Sequence, residues 1–488
     1  MSGRLEGSWA ALRRVPAAAW VCAAIAVANA ACWATVTPPY WVPDEIAHFG
    51  YVQHLAETGE PPTPGPYQPS EEQAALAAGL GFAVEGRPPW RAAEGRALRR
   101  MVDGREIGRV DEGQAYAAAS YPPLYYAYEA LAYRVFHGAS VDDRLYAMRL
   151  ASALLAGLTV LFTFLFLREL IPRRPWAGTV GALAVAFQPL LGFLAGGVNN
   201  DGLILACAAA LLFALARAFQ RGLNLGLGAF IGAVLAIGLL TKPTILGLVP
   251  GTALALLLLV WRAPGERRPA ALGTAAAALV TIVPFLAWQG IERALLDRES
   301  GPTGGVASST VTQSAGQLTD LLSYLWQALL PRLPFMFDQF PYYAPWEIYF
   351  KGFIGRFGWF EFGFPEAWNV VGLAIFAVIV VLAALGARAH APALRDRWPE
   401  LLVYVALAGG VLLATEIAAY QYHLVAPGQY AEQTRYLLPL LGLYGAFIAL
   451  AALGAGPRHG RAVGAFLVML AMGHSIFSLL LTVARFYT

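Results

Sequence analysis

Long apolar runs separated by short polar turns make up most of the 488-residue chain. A run of about 18 or more apolar residues can cross a bilayer as a helix, and the pattern predicts about eleven such spans. Two long stretches near residues 37–143 and 290–365 interrupt them. The predicted spans lie near residues 15–36, 144–168, 177–197, 201–219, 223–241, 244–261, 270–289, 366–388, 399–420, 434–454 and 462–484.

This pattern predicts an all-α polytopic membrane protein in which residues 1–488 form a single integral membrane domain. The composition agrees, because a chain that is 58% hydrophobic and 13% charged has too little charge to cover a soluble surface. A net charge of +3 gives no support for a nucleic-acid partner. Cys22, Cys32 and Cys207 lie in or beside apolar runs, and we interpret them as small apolar packing residues.

A cluster of arginines precedes the first span and further clusters follow every second span, as the positive-inside rule requires of cytoplasmic segments. The alternation predicts a cytoplasmic N-terminus, two extracytoplasmic long loops and an extracytoplasmic C-terminus. The clusters are Arg4, Arg13 and Arg14; Arg168, Arg173 and Arg174; Arg217 and Arg221; Arg262, Arg267 and Arg268; Arg388, Arg395 and Arg397; and Arg458 and Arg461.

The first long loop opens with the segment PDEIAHF at residues 43–49. Proline suits the first position of a helix, so we expect Asp44 and Glu45 in its first turn and His48 on the same face as Asp44. An acidic pair at a helix start either complements the helix dipole or supplies a general base. The dipole lowers the pKa of such a carboxylate and burial raises it, so the sequence leaves both interpretations open.

Three further polar groups are predicted on the same side of the membrane. Asn199, Asn200 and Asp201 form a turn between two spans, where such residues also serve a purely structural purpose. Lys242 lies at the outer end of a span, against the positive-inside bias, and either meets an anion or extends to the interface.

The third group is Arg435 with its neighbour Tyr436, at the start of the tenth span. An arginine can hold a phosphate through two parallel hydrogen bonds, and the alternative is an ion pair with Glu432 or Glu416. A metal site is possible but is not expected, because His48, His54 and His137 do not have the spacing of a recognised motif.

These segments in this order resemble the GT-C superfamily of membrane glycosyltransferases. Within it, they are similar to one largely uncharacterised bacterial family with a PDExxHF motif in its first loop. The matching segments are PDEIAHF at 43–49, YPPLYY at 121–126, NND at 199–201, TKPT at 241–244 and QTRYLLP at 433–439.

The resemblance implies a GT-C-like fold with interfacial helices in the first loop, in a bacterial inner (plasma) membrane. It also implies an inverting enzyme that transfers a hexose or pentose from a polyprenyl-phosphate donor to a hydroxyl of a glycan, lipid or protein on the extracytoplasmic face. No cofactor is required, and membrane lipids surround the protein.

The resemblance implies roles for individual residues. Asp44 is the expected base, with Glu45 as its neighbour or substitute and His48 orienting it. Lys242, Arg435 and Tyr436 are expected to hold the lipid phosphate. Substrate is expected to contact Asn199, Asn200, Asp201, Tyr121 and Tyr125. Tyr121 stands where better-known relatives carry His, so its role is open.

Two other classes of function remain open at this point. A transporter or flippase places ionisable groups near the middle of the bilayer. A glycan ligase or polymerase uses a lipid-diphosphate donor, and it needs a larger cavity on the outer side.

Overall fold

The computed structural model describes residues 15–65, 68–80, 96, 108–109, 115–263, 267–295, 315–340, 344, 346–358, 360–425 and 432–487. These residues are predominantly α-helical. The helices are α1 (Ala17–Val36), α2 (Glu45–Thr58), α3 (Glu71–Leu80), α4 (Leu124–Val135), α5 (Val141–Leu170), α6 (Pro175–Ala186), α7 (Pro189–Ala195), α8 (Asp201–Arg221), α9 (Leu225–Leu239), α10 (Val249–Trp261), α11 (Arg267–Leu295), α12 (Ala315–Leu329), α13 (Gly352–Gly355), α14 (Glu366–Ala389), α15 (Ala391–Asp396), α16 (Trp398–Val425), α17 (Leu441–Gly454) and α18 (Gly456–Phe486).

Short elements connect the helices. Strands β1 (Thr63–Pro64) and β2 (Ala115–Tyr116) pair in parallel, and β3 (Arg356–Phe357) pairs with β4 (Phe362–Gly363) as an antiparallel hairpin. Residues Ala117–Ser120, Pro243–Leu248 and Thr434–Leu440 form 3₁₀ turns, and Glu347–Lys351 form a π-helical turn. Two of the 3₁₀ turns adjoin predicted site residues: Pro243–Leu248 begins directly after Lys242, and Thr434–Leu440 contains Arg435 and Tyr436.

The predicted all-α polytopic fold is confirmed, and every predicted span is helical. Nine helices of the described part of the chain are long and apolar enough to cross a membrane. The pair α6 and α7 forms a tenth span that is bent by 57°, and α9 has only 15 residues, about 22 Å of helix. The sequence predicts about eleven spans, whereas the described residues contain nine or ten. The difference lies mainly at α9, which was predicted as a span but is shorter than the others.

Helix α5 is the centre of the bundle, where it packs against α1 and α8. Small residues allow the close approaches near the site. A Cβ at Gly196 would lie 2.8 Å from the carbonyl oxygen of Ala30, so the chain that leaves α7 can cross α1 only at a glycine. By contrast, α14 exposes large apolar side chains such as Phe376 and Val378, as a lipid-facing helix does.

The first long loop folds onto the end of α5. Phe49, Tyr126, Tyr133 and Leu145 belong to one buried core that joins α2 and α4 to α5. The two helices that the sequence predicts at the ends of this loop are therefore present, but their tyrosines are buried in protein. We call this end of the bundle, where α2, α4 and the β3–β4 hairpin lie, the loop face.

The opposite end of the bundle carries paired arginines. Arg217 and Arg221 both bind Glu169, and Arg397 binds Glu400 through two hydrogen bonds of 2.7 and 2.8 Å. These three arginines belong to the clusters that the sequence predicts as cytoplasmic. Their position therefore agrees with the predicted alternation of the loops.

Candidate active site

Asp44 lies at the junction between α1 and α2. It is the N-cap residue of α2, with a left-handed backbone (φ 63°), and α2 begins at Glu45. The expected place of Asp44 in the first turn is thus wrong by one residue, because the chain makes a turn at Asp44 before the helix begins. The side chain of Asp44 remains partly exposed, and its Oδ2 accepts a hydrogen bond of 2.7 Å from Nη2 of Arg435.

Asp201 and Lys242 extend the contact between Asp44 and Arg435 to a group of four charged residues. Nζ of Lys242 lies 2.5 Å from Oδ1 of Asp201, and Nε of Arg435 lies 3.9 Å from Oδ2 of Asp201. The side chains of Lys242, Asp201 and Arg435 are each only 6% exposed. The four charges therefore form one row, Asp44–Arg435–Asp201–Lys242, which we call the charge row.

Two tyrosines flank the charge row. Nζ of Lys242 lies 5.7 Å from the ring centre of Tyr121 and 5.5 Å from that of Tyr436, within range of cation–π attraction. The Tyr436 hydroxyl also accepts a hydrogen bond of 3.2 Å from Arg435. Six residues from five separate segments of the sequence thus converge on the loop face.

The environment of Asp44 holds its carboxylate in the charged form. Burial raises its pKa, but the charges of Arg435, His48 and Lys242 together lower the pKa by more than burial raises it. The net pKa of Asp44 therefore lies below the ordinary value of 3.8. For His48, burial lowers the pKa to about 4, in spite of the opposing effects of Asp44 and Asp201. At neutral pH the structure therefore presents an ionised Asp44 beside a neutral His48.

A hydrogen-bond chain fixes the His48 ring. Nδ1 of His48 lies 2.9 Å from the hydroxyl of Tyr126, to which Nδ2 of Asn200 donates at 3.4 Å. When Tyr126 donates to Nδ1, the proton of the neutral imidazole stays on Nε2. Oδ1 of Asn200 is buried and has no hydrogen-bond partner among the described residues.

Glu45 has a different environment from Asp44. It is fully buried and receives two hydrogen bonds from Arg149, Nε to Oε1 at 2.7 Å and Nη2 to Oε2 at 2.6 Å. The backbone amides of Val198 and Tyr40 donate to the same carboxylate at 3.0 and 2.8 Å. This geometry favours a positioning role for Glu45 rather than the catalytic one expected from the sequence.

We expect the substitution Glu45→Gln to lower the free energy of unfolding by about 3 kcal/mol, because removing one partner of a buried ion pair leaves the other charge uncompensated. Arg149 would retain only uncharged acceptors, which are the carbonyl oxygens of Ala34, Thr37 and Pro38 and the amide oxygen of the introduced glutamine. Thermal unfolding in detergent measures the effect. Glu60→Gln, at an exposed position just after α2, is the matched control, and equal melting temperatures of the two variants would disprove the role of the Glu45–Arg149 pair.

The remaining predicted substrate residues lie behind the charge row. Nδ2 of Asn199 donates to the carbonyl oxygen of Pro43 at 2.8 Å, and its Oδ1 accepts from the backbone amide of Asp201 at 2.9 Å. Tyr125 is fully buried, and its hydroxyl lies 2.9 Å from Oγ of Ser152. Asn199 thus ties the Asp44 segment to the Asp201 turn, and Tyr125 points towards α5.

Glu129 on α4 was not predicted and belongs to the same buried polar group. Its Oε1 accepts from Oγ of Ser152 at 2.7 Å, and Oε2 has no hydrogen-bond partner among the described residues. Burial raises the pKa of Glu129 to about 8, so its carboxyl is largely protonated at neutral pH.

We expect the protein to lose stability relative to a Glu129→Gln variant as the pH rises from about 4.5 to about 8. The unfolded carboxyl releases its proton above about 4.5, whereas the folded one keeps it until about 8, so the folded state binds more protons in this window. Melting temperatures of both proteins across pH 5 to 8 measure the difference. Parallel pH dependences would show that Glu129 is ionised in the folded protein.

The described residues contain no group of three or more His, Cys, Asp or Glu side chains that could hold a metal ion. The charge row offers two carboxylates, but both already bind cations of the protein. The sequence-based expectation that no metal is required stays a prediction.

Comparison with protein families gives a match to a family described as a predicted membrane protein (DUF2142), over residues 29–444. No curated protein matches the sequence. Among solved structures, the chain is similar to the oligosaccharyltransferase AglB from Archaeoglobus fulgidus in its apo form, with a TM-score of 0.48 and 13% identity. That match covers 96% of this chain and 56% of the oligosaccharyltransferase, so the chain spans little more than half the length of this relative.

ArnT from Cupriavidus metallidurans is similar with a TM-score of 0.46 and 15% identity, over 96% of this chain and 71% of ArnT. Both proteins are GT-C glycosyltransferases, the superfamily that the sequence resembles. The family match covers most of the chain, including every residue of the charge row, and the chain therefore belongs to the family of predicted membrane proteins DUF2142.

Proposed function

We propose that this protein is an inverting glycosyltransferase that moves a sugar from a polyprenyl-phosphate donor to a hydroxyl group of an acceptor. The observation that carries the proposal is the charge row, in which a partly exposed carboxylate lies 2.7 Å from a buried arginine at the edge of the membrane-spanning bundle. Such a pair joins a proton acceptor to a group that stabilises negative charge, and sugar transfer from a phosphate needs both.

In this reaction Asp44 accepts the proton of the acceptor hydroxyl. The acceptor oxygen then forms a bond to the anomeric carbon of the sugar, from the side opposite the phosphate. The bond between that carbon and the phosphate oxygen breaks, and its electron pair remains on the lipid phosphate. Arg435 and Lys242 stabilise this developing negative charge, and the single displacement inverts the anomeric centre.

The ion pair with Arg435 keeps Asp44 a weak base before the donor binds, because its pKa is lowered. A phosphate that engages the guanidinium of Arg435 withdraws part of this attraction from Asp44. The pKa of Asp44 then rises, and its strength as a base increases only when the donor is in place. The same contact thus couples donor binding to activation of the acceptor.

The neighbouring polar groups position the substrates. Nε2 of His48 carries the proton when Tyr126 donates to Nδ1, so His48 offers a donor next to Asp44. The buried Asn200 supports this arrangement, because its Nδ2 donates to the Tyr126 hydroxyl that fixes His48. The rings of Tyr121 and Tyr436 hold the Lys242 ammonium between them and limit its movement.

We place the loop face on the extracytoplasmic side of a bacterial plasma membrane, with the N-terminus in the cytoplasm. The arginine-rich opposite end supports this orientation through the positive-inside rule. Nucleotide sugars are not available on the outer side, and this is the physical reason to expect a lipid-linked donor. The acceptor in this scheme is a glycan, a lipid or a protein.

The test uses the full-length protein in liposomes with a labelled sugar on polyprenyl phosphate and a mixture of envelope glycans, lipids and proteins as acceptors. We expect the label to leave the donor with release of polyprenyl phosphate and to appear on an acceptor with inverted anomeric configuration. Release of polyprenyl diphosphate from a diphosphate donor would instead support a glycan ligase, and movement of the intact donor across the bilayer would support a flippase.

We expect transfer to persist in the presence of a chelator of divalent metals, because Lys242 and Arg435 supply the positive charge that the leaving phosphate requires. The measurement compares initial rates with and without the chelator, followed by addition of Mg²⁺ or Mn²⁺. A rate that falls by more than about tenfold, about 1.4 kcal/mol, and returns with the metal would contradict this prediction.

A further inference from the structure

The end of the bundle opposite the loop face contains an open cavity of about 460 Å³. Phe219 at the end of α8, Leu259 near the end of α10, Ala270 in the first turn of α11 and Glu400 in the first turn of α16 contribute to its walls. Its volume lies in the range of binding sites for small molecules. None of its lining residues belongs to the charge row, and we call it the arginine-end cavity.

Two exposed tryptophans indicate the depth of the arginine-end cavity in the membrane. Trp261 directly precedes the lining residue Arg262, and Trp398 directly follows the lining residue Arg397. Tryptophan is enriched where a bilayer meets water. Leu257, one turn deeper in α10, is exposed as a lipid-facing side chain is. The cavity therefore lies at the depth of the phospholipid headgroups, which also bind in pockets between the spans of other membrane proteins.

Two of the four charged side chains that line the cavity neutralise each other. Arg397 donates two hydrogen bonds to the buried carboxylate of Glu400. Gln220 and Tyr404 donate to the same carboxylate at 3.2 and 2.6 Å. Nη1 of Arg397 donates to the carbonyl oxygen of Leu170 at 2.7 Å. These bonds hold the start of α16 against α5 and α8, and the pair adds no net charge to the cavity.

The other two charged side chains of the lining, Arg262 and Asp396, have opposite signs. Within the part of the chain that the structure describes, neither side chain forms a hydrogen bond or an ion pair with another residue. Arg262 follows the last residue of α10, and Asp396 is the last residue of α15. A cavity that presents one charge of each sign complements a zwitterion better than it complements an anion or a cation.

The remaining walls of the cavity are apolar. Leu223, Leu259 and Ala263 are among the residues that form them. A soluble zwitterion would leave this apolar surface in contact with water, whereas the glycerol backbone and the first acyl carbons of a phospholipid would cover it. The apolar walls and the depth of the cavity together favour a lipid over a soluble ligand.

We propose that the arginine-end cavity binds the headgroup of phosphatidylethanolamine, with Arg262 on its phosphate and Asp396 on its primary ammonium. The lipid then bridges the end of α10 and the segment that precedes α16. Phosphatidylcholine has the same phosphate, but its methylated ammonium has no N–H to donate to Asp396. Phosphatidylglycerol carries no cation for Asp396 at all. The inference does not depend on sugar transfer, because the cavity lies at the other end of the bundle from the charge row.

The test measures binding of these three phospholipids, with identical acyl chains, to the full-length protein in detergent by native mass spectrometry. We expect phosphatidylethanolamine to bind about tenfold more tightly than either of the others, because hydrogen bonds between charged groups are the strong ones. Free phosphoethanolamine serves as the soluble probe and is expected to bind more weakly than the lipid, since it makes no apolar contacts. Equal affinities of the three lipids, or of the lipid and free phosphoethanolamine, would overturn the proposal.

Two variants test the two charged contacts separately. Arg262→Gln is expected to weaken binding of all three lipids about tenfold, because each of them carries the phosphate. Asp396→Asn is expected to remove the preference for phosphatidylethanolamine over phosphatidylcholine and to leave the affinity for phosphatidylcholine unchanged. Arg458→Gln, an exposed arginine at the start of α18, is the matched control and is expected to bind as the parent protein does. Affinities of Arg262→Gln that equal those of Arg458→Gln would contradict the assignment.

A third variant tests whether the lipid occupies the cavity itself. Ala263→Phe places a larger side chain in the wall without changing any charge, and it is expected to weaken phosphatidylethanolamine binding about tenfold by steric overlap. Melting temperatures in lipid-free detergent are expected to be the same for all variants and the parent protein, which shows that the losses concern binding rather than folding. Undiminished binding by Ala263→Phe would place the lipid outside the cavity and refute the proposal.

Discussion

Replacing Asp44 with Asn is expected to reduce sugar transfer by at least about a hundredfold while the protein stays folded, because the neutral amide cannot accept the proton of the acceptor. Asn rather than Ala is the appropriate substitution. Asp44 has a left-handed backbone, and Asn adopts that conformation more readily than most residues with a side chain. The variant thus removes the charge without straining the turn that begins α2.

The stability of the Asp44→Asn variant should be close to that of the parent protein. The side chain of Asp44 is 36% exposed, and solvent weakens its ion pair with Arg435. Asp142→Asn is the matched control, since Asp142 is also an acid at the start of a helix in the first long loop. Initial transfer rates and melting temperatures of the three proteins test the prediction.

The pH profile of the parent protein adds an independent measurement. The pKa of Asp44 is lowered below 3.8, chiefly by Arg435 among its charged neighbours, so the carboxylate remains ionised as the pH falls from 8 to 5. In the donor-free protein no loss of the base is expected in that range. Because donor binding weakens the Arg435 contact, the acidic limb of kcat should lie at higher pH than that of kcat/KM. Undiminished transfer by a folded Asp44→Asn variant would remove Asp44 from the mechanism.

The spans could be predicted from the sequence because bilayer thickness fixes the length of an apolar run. The contacts between pairs of site residues could not be predicted from the sequence, because they depend on which spans are neighbours in the bundle. Arg435 was expected to meet Glu432 or Glu416 if it had a structural role, whereas the structure shows its contact with Asp44, 391 residues away. The sequence predicts that these residues lie on the same side of the membrane, and the structure shows which of them contact each other.

The buried polar contacts of residues inside the helices were also not predicted from the sequence. Arg149 was counted as part of the α5 span, although an arginine within an apolar run requires a buried acid such as Glu45. Tyr126 and Glu129 lie in α4, a tyrosine-rich helix of the first loop, where the resemblance implies interfacial helices and the structure shows both side chains buried.

The second large effect is expected at Lys242. Replacing it with Met leaves Asp201 buried without its closest cation, and breaking such a pair costs about 3–5 kcal/mol. Arg435, at 3.9 Å from Asp201, compensates only part of that charge. We therefore expect Lys242→Met to unfold at a clearly lower temperature and to lose transfer activity at the same time, a result that cannot by itself separate folding from catalysis.

The double variant Lys242→Met with Asp201→Asn separates the two effects. It removes both charges of the pair, and replacing a whole buried ion pair is often neutral or stabilising. We expect the melting temperature to return towards that of the parent protein. Transfer should stay reduced by about a hundredfold or more, because the ammonium that stabilises the leaving phosphate is still absent.

Arg217→Met serves as the control for the loss of a cation, since Arg217 binds Glu169 at the opposite end of the bundle. Glu169 retains Arg221 in that variant, so both stability and transfer should change little. Recovery of transfer together with the melting temperature in the Lys242–Asp201 double variant would show that this pair only supports the fold. Of the two cations assigned to the lipid phosphate, Arg435 alone would then stabilise it.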